Sequence, residues 1–344
     1  MERERIIKPD CGEYLATMSK NSAIDLIRQP DRLTLGIELP LDNDWSPEGE
    51  TRRVAAGRAR GVPDLSAQTT LVRRADERGF AGIWVRDVPV FDQVNMGDAG
   101  SVYDVFTLLG FLAGVTSNVA LGTAAVVLPI RHPLLTAKAA ASADALSGGR
   151  VILGVASGDR PVEYPLLGID FESRGEAFRK HVSYLKTAWQ AGGLPVDGER
   201  IASLDLLPRP AQQSVPMVVA GQARQSDDWL AEHMDGRFVY PASLERLAMQ
   251  ASGWSRATAG RGAFISAFHL DLVDQADTPA NPIRFGARLG RKALIGHFQK
   301  LAEAGVDHVA VNLRQSARPP ADVIDELAAD VMPQLGKKTA AVAA

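Results

Sequence analysis

The pattern of apolar and polar residues in the middle of the chain predicts a buried strand, a helix and a second buried strand. Residues 119–129 read V-A-L-G-T-A-A-V-V-L-P, an apolar run too short to span a membrane. Residues 132–149 carry small and apolar residues at helical spacing and end at a Gly-Gly pair, and residues 150–158 form another apolar run. Strand, helix and strand within about 40 residues predict a βαβ unit with parallel strands, whose faces are covered by helices.

The same alternation recurs along the whole chain. Apolar runs predict eight strands at 33–40, 82–87, 119–129, 150–158, 216–221, 236–240, 263–273 and 308–313. Helices are predicted after them at 66–78, 103–116, 132–148, 176–190, 227–234, 244–258, 292–305 and 321–335. Eight alternating units favour an α/β fold of the (β/α)8 TIM barrel type over an open doubly wound sheet.

Three polar stretches between these elements are predicted to be long loops, at 42–64, 192–216 and 274–290. The segment D-G-E-R-I within the second stretch is compatible with a small hairpin. Long loops in compact domains are often functional, so substrate choice is expected to depend on these loops at the C-terminal mouth of the barrel. We divide the chain into an N-terminal extension outside the barrel (1–30), the barrel (31–336) and a flexible tail (337–344).

Composition narrows the class of protein. The chain has 344 residues, 46% of them hydrophobic, and a net charge of −3, which gives no electrostatic basis for binding nucleic acid or an anionic membrane. Its single cysteine, Cys11, excludes an intramolecular disulfide and a multi-cysteine metal site, and we interpret it as a free structural thiol. Because the charged N-terminus lacks a signal peptide and no apolar run reaches membrane length, a soluble cytoplasmic protein is expected.

Polar residues at the ends of the predicted strands are the candidates for chemistry, since a barrel of this kind places its active face there. The turn of Gly221, Gln222, Ala223 and Arg224 leads to Ser226 and a predicted helix, whose free N–H groups suit a phosphate. The alternative is that Ser226 only caps that helix.

Two further strand ends are candidates for binding. After strand four come Ser157, Gly158 and Arg160, where the glycine allows close approach of a ligand; a plain surface turn is the alternative. Within strand three, Ala124 and Ala125 leave space for a flat ring, or serve barrel packing.

Strand seven offers a histidine as a candidate catalytic residue. His269 and Asp271 are two residues apart and therefore face the same side, either as a site pair or as a satisfied core pair. The other histidines lie in helices or at a strand start without metal-ligand spacing, so we predict no metal site.

The segment G-T-A-A-V-V-L-P-x-x-H-P, followed by D-A-L-S-G-G-R and a strand ending in G-V-A-S-G, resembles the bacterial luciferase-like flavin monooxygenase family. The resemblance is densest from Gly79 to about Trp189. It implies a TIM barrel with a reduced flavin, FMN or the deazaflavin F420, at the C-terminal mouth. It also implies that backbone amides with Arg224 and Ser226 hold the flavin phosphate, and that Ser157 or Arg160 contacts the phosphate and ribityl chain. The Ala124–Ala125 bond would be a non-proline cis peptide under the flavin ring.

The end of strand two departs from the luciferases. It reads Trp84-Val85-Arg86-Asp87, without the catalytic histidine that bacterial luciferase carries there, so light emission from a long-chain aldehyde is not expected. Asp87 is the catalytic candidate at this position, contacting the flavin ring or the substrate. Its alternative role is a structural ion pair with Arg86 or Arg131.

The resulting hypothesis is a luciferase-like flavin-dependent monooxygenase that uses reduced FMN and O2 on a small organic substrate. FMN is favoured because the local match is closest to the luciferases. The alternatives are an F420-dependent hydride-transfer oxidoreductase and a non-catalytic flavin-binding barrel. No strand leads into G-x-G-x-x-G, so reduced flavin is expected to come from a separate flavin reductase. The resemblance further implies a homodimer. A barrel hydrolase or aldolase would need a metal cluster or a lysine at a strand end, and the sequence shows neither.

Overall fold

The computed structural model describes residues 22–42, 44–92, 103–196 and 198–336 of the chain. Cys11, the first 21 residues of the predicted N-terminal extension and the tail 337–344 lie outside the described residues. No helix in the described part of the chain is long and apolar enough to cross a membrane. These same residues contain no group of three or more His, Cys, Asp or Glu side chains that could hold a metal ion.

The secondary structure consists mainly of short buried strands alternating with helices. The strands are β1 (Thr34–Glu38), β2 (Gly82–Val85), β3 (Ala120–Thr123), β4 (Val126–Val127), β5 (Val151–Ala156), β6 (Leu194–Val196), β7 (Glu199–Ile201), β8 (Met217–Ala220), β9 (Gly236–Val239), β10 (Ala263–Leu272), β11 (Asn281–Ile283), β12 (Gly286–Leu289) and β13 (His308–Asn312). The helices are α1 (Ala23–Ile27), α2 (Pro47–Ala55), α3 (Leu65–Glu77), α4 (Val105–Val115), α5 (Pro133–Ser147), α6 (Glu163–Leu166), α7 (Arg174–Ala188), α8 (Asp227–His233), α9 (Leu244–Ala257), α10 (Arg291–Glu303) and α11 (Pro320–Glu326).

Eight of these strands form a closed parallel barrel, which confirms the predicted (β/α)8 fold. Going round the barrel, β13 is followed by β1, β2, β3, β5, β8, β9 and β10, and β10 pairs with β13 again. Strand β4 continues the line of β3 and pairs with β5. Each barrel strand lies between the interior side chains and the surrounding helices, which is why the strands are apolar without alternation. All parallel strands point the same way, so their carboxyl ends share one mouth.

A buried tryptophan–histidine pair fills the opposite end of the barrel. Trp84 donates from its indole Nε1 to Nε2 of His308 (2.9 Å), and Nδ1 of His308 pairs with Oγ1 of Thr34 (2.7 Å). Glycines make room for both rings, because a Cβ on Gly122 would lie 2.3 Å from the Trp84 ring and one on Gly36 would lie 2.5 Å from His308 Nε2. The pair is therefore a close-packed plug that leaves only the other end of the barrel open to a ligand.

The described part of the N-terminal extension covers this plugged end. Helix α1 buries Ala23 and Ile27 in the same apolar cluster as Trp84. The backbone N–H of Ala23 also donates to the side-chain oxygen of Gln212 (2.6 Å). Residues 22–30 thus close the barrel from outside its eight repeating units.

Two of the predicted long loops contain regular structure. In 42–64, helix α2 begins where Ser46 Oγ accepts the N–H of Gly49 (2.9 Å) ahead of Pro47, a start signal that outweighs the polar composition. In 274–290, β11 and β12 form a hairpin whose second strand pairs with β10. The prediction of irregular loops was wrong for both segments. In the first, the local cap signal was given less weight than the polar composition, and in the second, pairing of β12 with β10 leaves no local sequence signal.

Two smaller predictions have different outcomes. The hairpin expected around D-G-E-R-I is confirmed by the antiparallel pairing of β6 with β7. The last helix was predicted to run from 321 to 335, but α11 ends at Glu326 and continues as a π turn (Leu327–Val331) and a 3-10 turn (Met332–Gln334). Pro333 has no backbone N–H to donate, which disfavours a regular α-helix at this point.

Candidate active site at the mouth of the barrel

A cavity of about 430 Å³ opens at the carboxyl ends of the barrel strands. It falls within the usual size range for small-molecule and cofactor sites. The structure brings most of the predicted site residues together on its wall, namely Asp87, Ala124, Ala125, Ser157, Gly158, Arg160, Gly221, Gln222, Ala223, Arg224 and His269. Ser226 is the exception, since it is not among the residues that line the cavity.

One wall of the cavity is built from small side chains. The Ala124–Ala125 peptide bond is cis, which confirms the expectation drawn from the family resemblance. Ala156 and Ala220, from the adjacent strands β5 and β8, continue this surface round the cavity. Methyl groups in place of larger side chains leave an apolar surface on which a flat ring can lie.

Asp87 is held in a structural ion pair. Nε and Nη2 of Arg131 donate to its two carboxylate oxygens (2.9 and 2.6 Å), and the backbone N–H of Val127 donates to one of them (3.1 Å). This is the second of the two roles considered for Asp87, with Arg131 rather than Arg86 as the partner. Arg86 instead pairs with Glu38 (3.0 Å) inside the cavity. Asp87 therefore positions the chain next to the Ala124–Ala125 peptide.

The turn after β8 presents backbone to the cavity in an unusual conformation. Gly221, Ala223 and Arg224 have φ angles of 68°, 44° and 58°, in the left-handed region that only glycine adopts easily. The Arg224 guanidinium lies 3.2 Å from a carboxylate oxygen of Glu172. Ser226 Oγ accepts the N–H of Trp229 (3.3 Å), so its observed role is that of the helix cap.

A second arginine lies beside this turn. Arg174 lines the cavity at the start of α7, and its guanidinium stacks over the Phe171 ring at 3.4 Å. Its Nε atom is buried and has no hydrogen-bond partner among the described residues. Gly175 permits the close packing of this helix on Arg224, because a Cβ there would lie 3.0 Å from the Arg224 Cβ. The sequence analysis did not identify Arg174. The sequence signal for it is a basic residue followed by glycine, at the start of a helix that follows a loop at the barrel mouth.

The segment after β5 contributes a buried charged pair. Arg160 donates from Nη2 to the carbonyl oxygen of Val90 (3.0 Å), and its Nη1 lies 3.1 Å from Glu163. That contact lacks hydrogen-bond geometry, and Nε and Nη1 of Arg160 find no hydrogen-bond partner in the described part of the chain. Burial raises the pKa of Glu163, and the nearby Arg160 charge opposes this rise. Gly158 has φ +80°, and a Cβ there would lie 2.5 Å from the Tyr164 hydroxyl, which donates to the Ser157 carbonyl.

His269 is the remaining titratable group of the predicted set. It is 8% exposed, lines the cavity, and its Nδ1 has no hydrogen-bond partner within the described ranges. Burial lowers the pKa of His269, so the neutral imidazole is the main form at pH 7. Asp271 does not pair with it, because that carboxylate accepts from Arg288 (2.6 Å) and from the N–H of Ala317 (3.0 Å).

Taken together, these groups divide the cavity into three parts. The alanine wall suits the apolar face of a flat ring, and the left-handed turn with Arg174 and Arg224 suits an anionic group. His269 and the Glu38–Arg86 pair form a polar region at the remaining side.

The chain is similar in sequence to known proteins of one family. The family model described as luciferase-like monooxygenase matches residues 47–280. Among named relatives, the chain is similar to the pyrimidine monooxygenase RutA of Pantoea ananatis, with 28% identity over 320 residues that cover 85% of this chain and 82% of the relative.

Solved structures share the fold at low sequence identity. One is the coenzyme F420-dependent tetrahydromethanopterin reductase from Methanopyrus kandleri, with a TM-score of 0.65 and 17% identity, covering 88% of this chain and 99% of that chain. Another is the oxygenating constituent of 3,6-diketocamphane monooxygenase from Pseudomonas putida in complex with FMN. It has a TM-score of 0.64 and 14% identity, with the same coverage of 88% and 99%.

Proposed function

Since this chain belongs to the luciferase-like monooxygenase family, a family of flavin-dependent enzymes, we propose that it oxidises a small organic substrate with reduced FMN and O2. The observation that carries the proposal is the cavity at the barrel mouth. It combines an alanine wall with the arginines Arg160, Arg174 and Arg224, which line the cavity together with a turn of left-handed backbone. Guanidinium groups at a cavity wall suit a ligand with an anionic group.

The residues of the cavity fit the parts of a flavin mononucleotide. Its flat ring suits the surface around Ala124 and Ala125, and its phosphate suits the turn after β8 with Arg174 and Arg224. Arg160, which also lines the cavity, is proposed to bind the ribityl chain. When bound, reduced flavin supplies the electrons for activation of oxygen, while the protein orients the ring and excludes water.

The proposed cofactor-binding residues follow from this placement. They are the predicted Ala124, Ala125, Ser157, Gly158, Arg160, Gly221, Gln222, Ala223 and Arg224, together with Arg174. Ser226 supports the turn indirectly by capping α8. His269 is proposed to act on the substrate side, and Asp87 to position the chain beside the ring.

Charge at the phosphate end supports FMN rather than F420. Glu172, which pairs with Arg224, has a side chain that is 74% exposed, and Asp227, which pairs with Arg237, has a side chain that is 66% exposed. Asp159 is also exposed at the cavity wall. F420 extends past its phosphate into an acidic tail, which these carboxylates would repel, whereas FMN ends at the phosphate.

A comparison of FMN with riboflavin tests the phosphate anchor, because the two ligands differ only in the phosphate. Removing a charge-assisted hydrogen bond costs about 1.5–3 kcal/mol, so Arg174→Met should reduce the preference for FMN over riboflavin by roughly 10- to 100-fold. Calorimetric titration of both ligands measures that ratio. Arg209→Met, which removes an exposed ion pair with Asp205 outside the cavity, is the matched control and should leave the ratio unchanged. An unchanged ratio in Arg174→Met would contradict the anchor.

Two partners complete the proposal. A separate flavin reductase would supply the reduced cofactor, since the sequence carries no G-x-G-x-x-G fingerprint for a resident nicotinamide cofactor.

A homodimer is supported by exposed apolar side chains on the neighbouring helices α4 and α5. Leu135 and Leu146 are 67% and 69% exposed and lie eleven residues apart, which places them on one face of α5. Phe111, on the adjacent helix α4, is 40% exposed.

A further inference from the structure

The hairpin formed by β11 and β12 is fixed rigidly over the end of β10. His269 pairs with Gly286 in parallel register, and the N–H of His269 donates to the carbonyl of Phe285 (2.9 Å). A Cβ on Gly286 would lie 1.8 Å from the His269 carbonyl oxygen, so only glycine permits this contact. The hairpin tip therefore has one position relative to His269.

The residue at the hairpin tip is an aromatic in a conformation that such residues rarely adopt. Phe285 has a φ of +62°, in the left-handed region. Its ring packs edge-on against His269, with 5.6 Å between centroids, and stacks on Tyr240 at 5.2 Å with 25° between the planes. Tyr240 and Phe285 are 62% and 38% exposed despite their apolar rings. Tyr240 lines the cavity, and Phe285 extends its aromatic surface through ring contacts with Tyr240 and His269, so we call the pair the aromatic wall.

A polar atom lies next to this aromatic wall. His269 lines the cavity, and only 8% of its surface is exposed. Its Nδ1 has no hydrogen-bond partner in the described ranges. A buried imidazole nitrogen without a partner is unfavourable unless a ligand supplies one. Aromatic surface and a single hydrogen-bonding atom together recognise a flat ring that carries a polar group.

We propose that Tyr240, Phe285 and His269 form a substrate subsite for a planar, unsaturated ring bearing a hydrogen-bonding substituent. The ring packs against the aromatic wall, and the substituent forms a hydrogen bond with the imidazole of His269, which lines the cavity. This inference rests on the proposed function, in which the flavin occupies the alanine side of the same cavity. A flexible aliphatic substrate would gain nothing from the geometry of the aromatic wall. Such a substrate is the alternative to the proposed planar ring.

Paired ligands that differ only in ring planarity test the substrate class. The probes are benzamide and cyclohexanecarboxamide, which carry the same amide on an aromatic or a saturated ring. Aromatic pairing should make benzamide bind about three- to tenfold tighter to the FMN-loaded protein, as measured by calorimetry. The saturated ring has more apolar surface, so simple hydrophobic burial would give the opposite order. Equal binding of the two amides, no binding, or the opposite order would overturn the inference.

Variants assign the selectivity to the proposed residues. Phe285→Leu keeps an apolar side chain at the tip and should remove the preference for benzamide, whereas Phe111→Leu, on exposed helix α4, should retain it. His269→Leu should weaken benzamide binding about tenfold, and His269→Gln, which restores a hydrogen-bonding group, should recover part of it. Full selectivity in Phe285→Leu would overturn the role of the wall.

The proposed function and the subsite fail in different ways. FMN titration is carried out first, and absence of FMN binding contradicts the proposed function. The amide pair is then titrated into the flavin-free protein, where the preference for benzamide or its absence still decides the subsite. FMN binding without any preference between the amides contradicts the subsite alone.

Discussion

Acidification should destabilise the barrel through His308, which lies at the end opposite the active site. Its side chain is fully buried and hydrogen-bonded to Trp84 and Thr34 through its two ring nitrogens. Both partners are neutral, and burial lowers the pKa of His308 to about 3. The unfolded chain carries this histidine near its ordinary value of about 6.5.

The sign of the effect follows from these two values. Below about pH 6.5 the unfolded chain binds a proton that the folded barrel excludes, so the stabilisation is complete above that pH and is lost as pH falls. The loss is about 1.4 kcal/mol per pH unit, or about 3 kcal/mol between pH 6.5 and pH 4. That is a large share of the roughly 5–15 kcal/mol that stabilises a typical folded protein.

Urea unfolding followed by circular dichroism at pH 7, 5.5, 4.5 and 4 measures this loss. Burial also lowers the pKa values of His181, His269 and His297, so His308→Gln is the matched control that retains their contribution. The free energy of unfolding of the wild type should fall about 3 kcal/mol more than that of the variant by pH 4. Parallel pH profiles of the two proteins would refute the reasoning. If the variant does not fold, NMR titration of His308 in the wild type decides, and a pKa near 6.5 would refute it equally.

The remaining predictions concern the flavin cavity. Ala125→Leu adds bulk to the alanine wall and should weaken FMN binding about 100-fold or more. The control Ala257→Leu, at an exposed position of helix α9, should leave FMN binding unchanged. Normal FMN affinity in Ala125→Leu would show that the flavin ring does not lie on this wall. Ser226→Ala should lower stability by about 1 kcal/mol through loss of the helix cap without changing FMN affinity. Arg224→Ala should instead lower FMN affinity, and calorimetry and urea unfolding of both variants separate the two roles.

The barrel could be predicted from sequence because its signal is local. Each barrel strand is a short apolar run buried on both faces, and each is followed by a helix whose apolar stripe covers the sheet. Counting eight such units identified the closed barrel, and its geometry then gathered residues as distant as Ala124, Arg160, Gly221 and His269 around one cavity. The gathering of these residues could be predicted because parallel strands share one direction and their carboxyl ends meet at one mouth.

Other features of the site depend on contacts between distant segments. The sequence left Asp87 either as a catalytic candidate or in an ion pair with Arg86 or Arg131, and the structure shows Arg131 donating to both its oxygens. The local signal of Arg174 does not show that α7 packs against the turn after β8, which is what brings Arg174 to the cavity. The hairpin that carries Phe285 depends on pairing with β10, although its own residues suggest a loop. Local patterns contain no information on such partners.

The most direct test of the account is calorimetric titration of the purified protein with FMN, reduced FMN and F420. We predict one FMN site per chain with micromolar or tighter affinity and at least about tenfold weaker binding of F420, because the exposed carboxylates of Glu172 and Asp227 disfavour an acidic tail. Tighter binding of F420 would overturn the assignment of FMN and favour hydride transfer. Absence of binding by all three would contradict the central claim that the cavity at the barrel mouth is a flavin site.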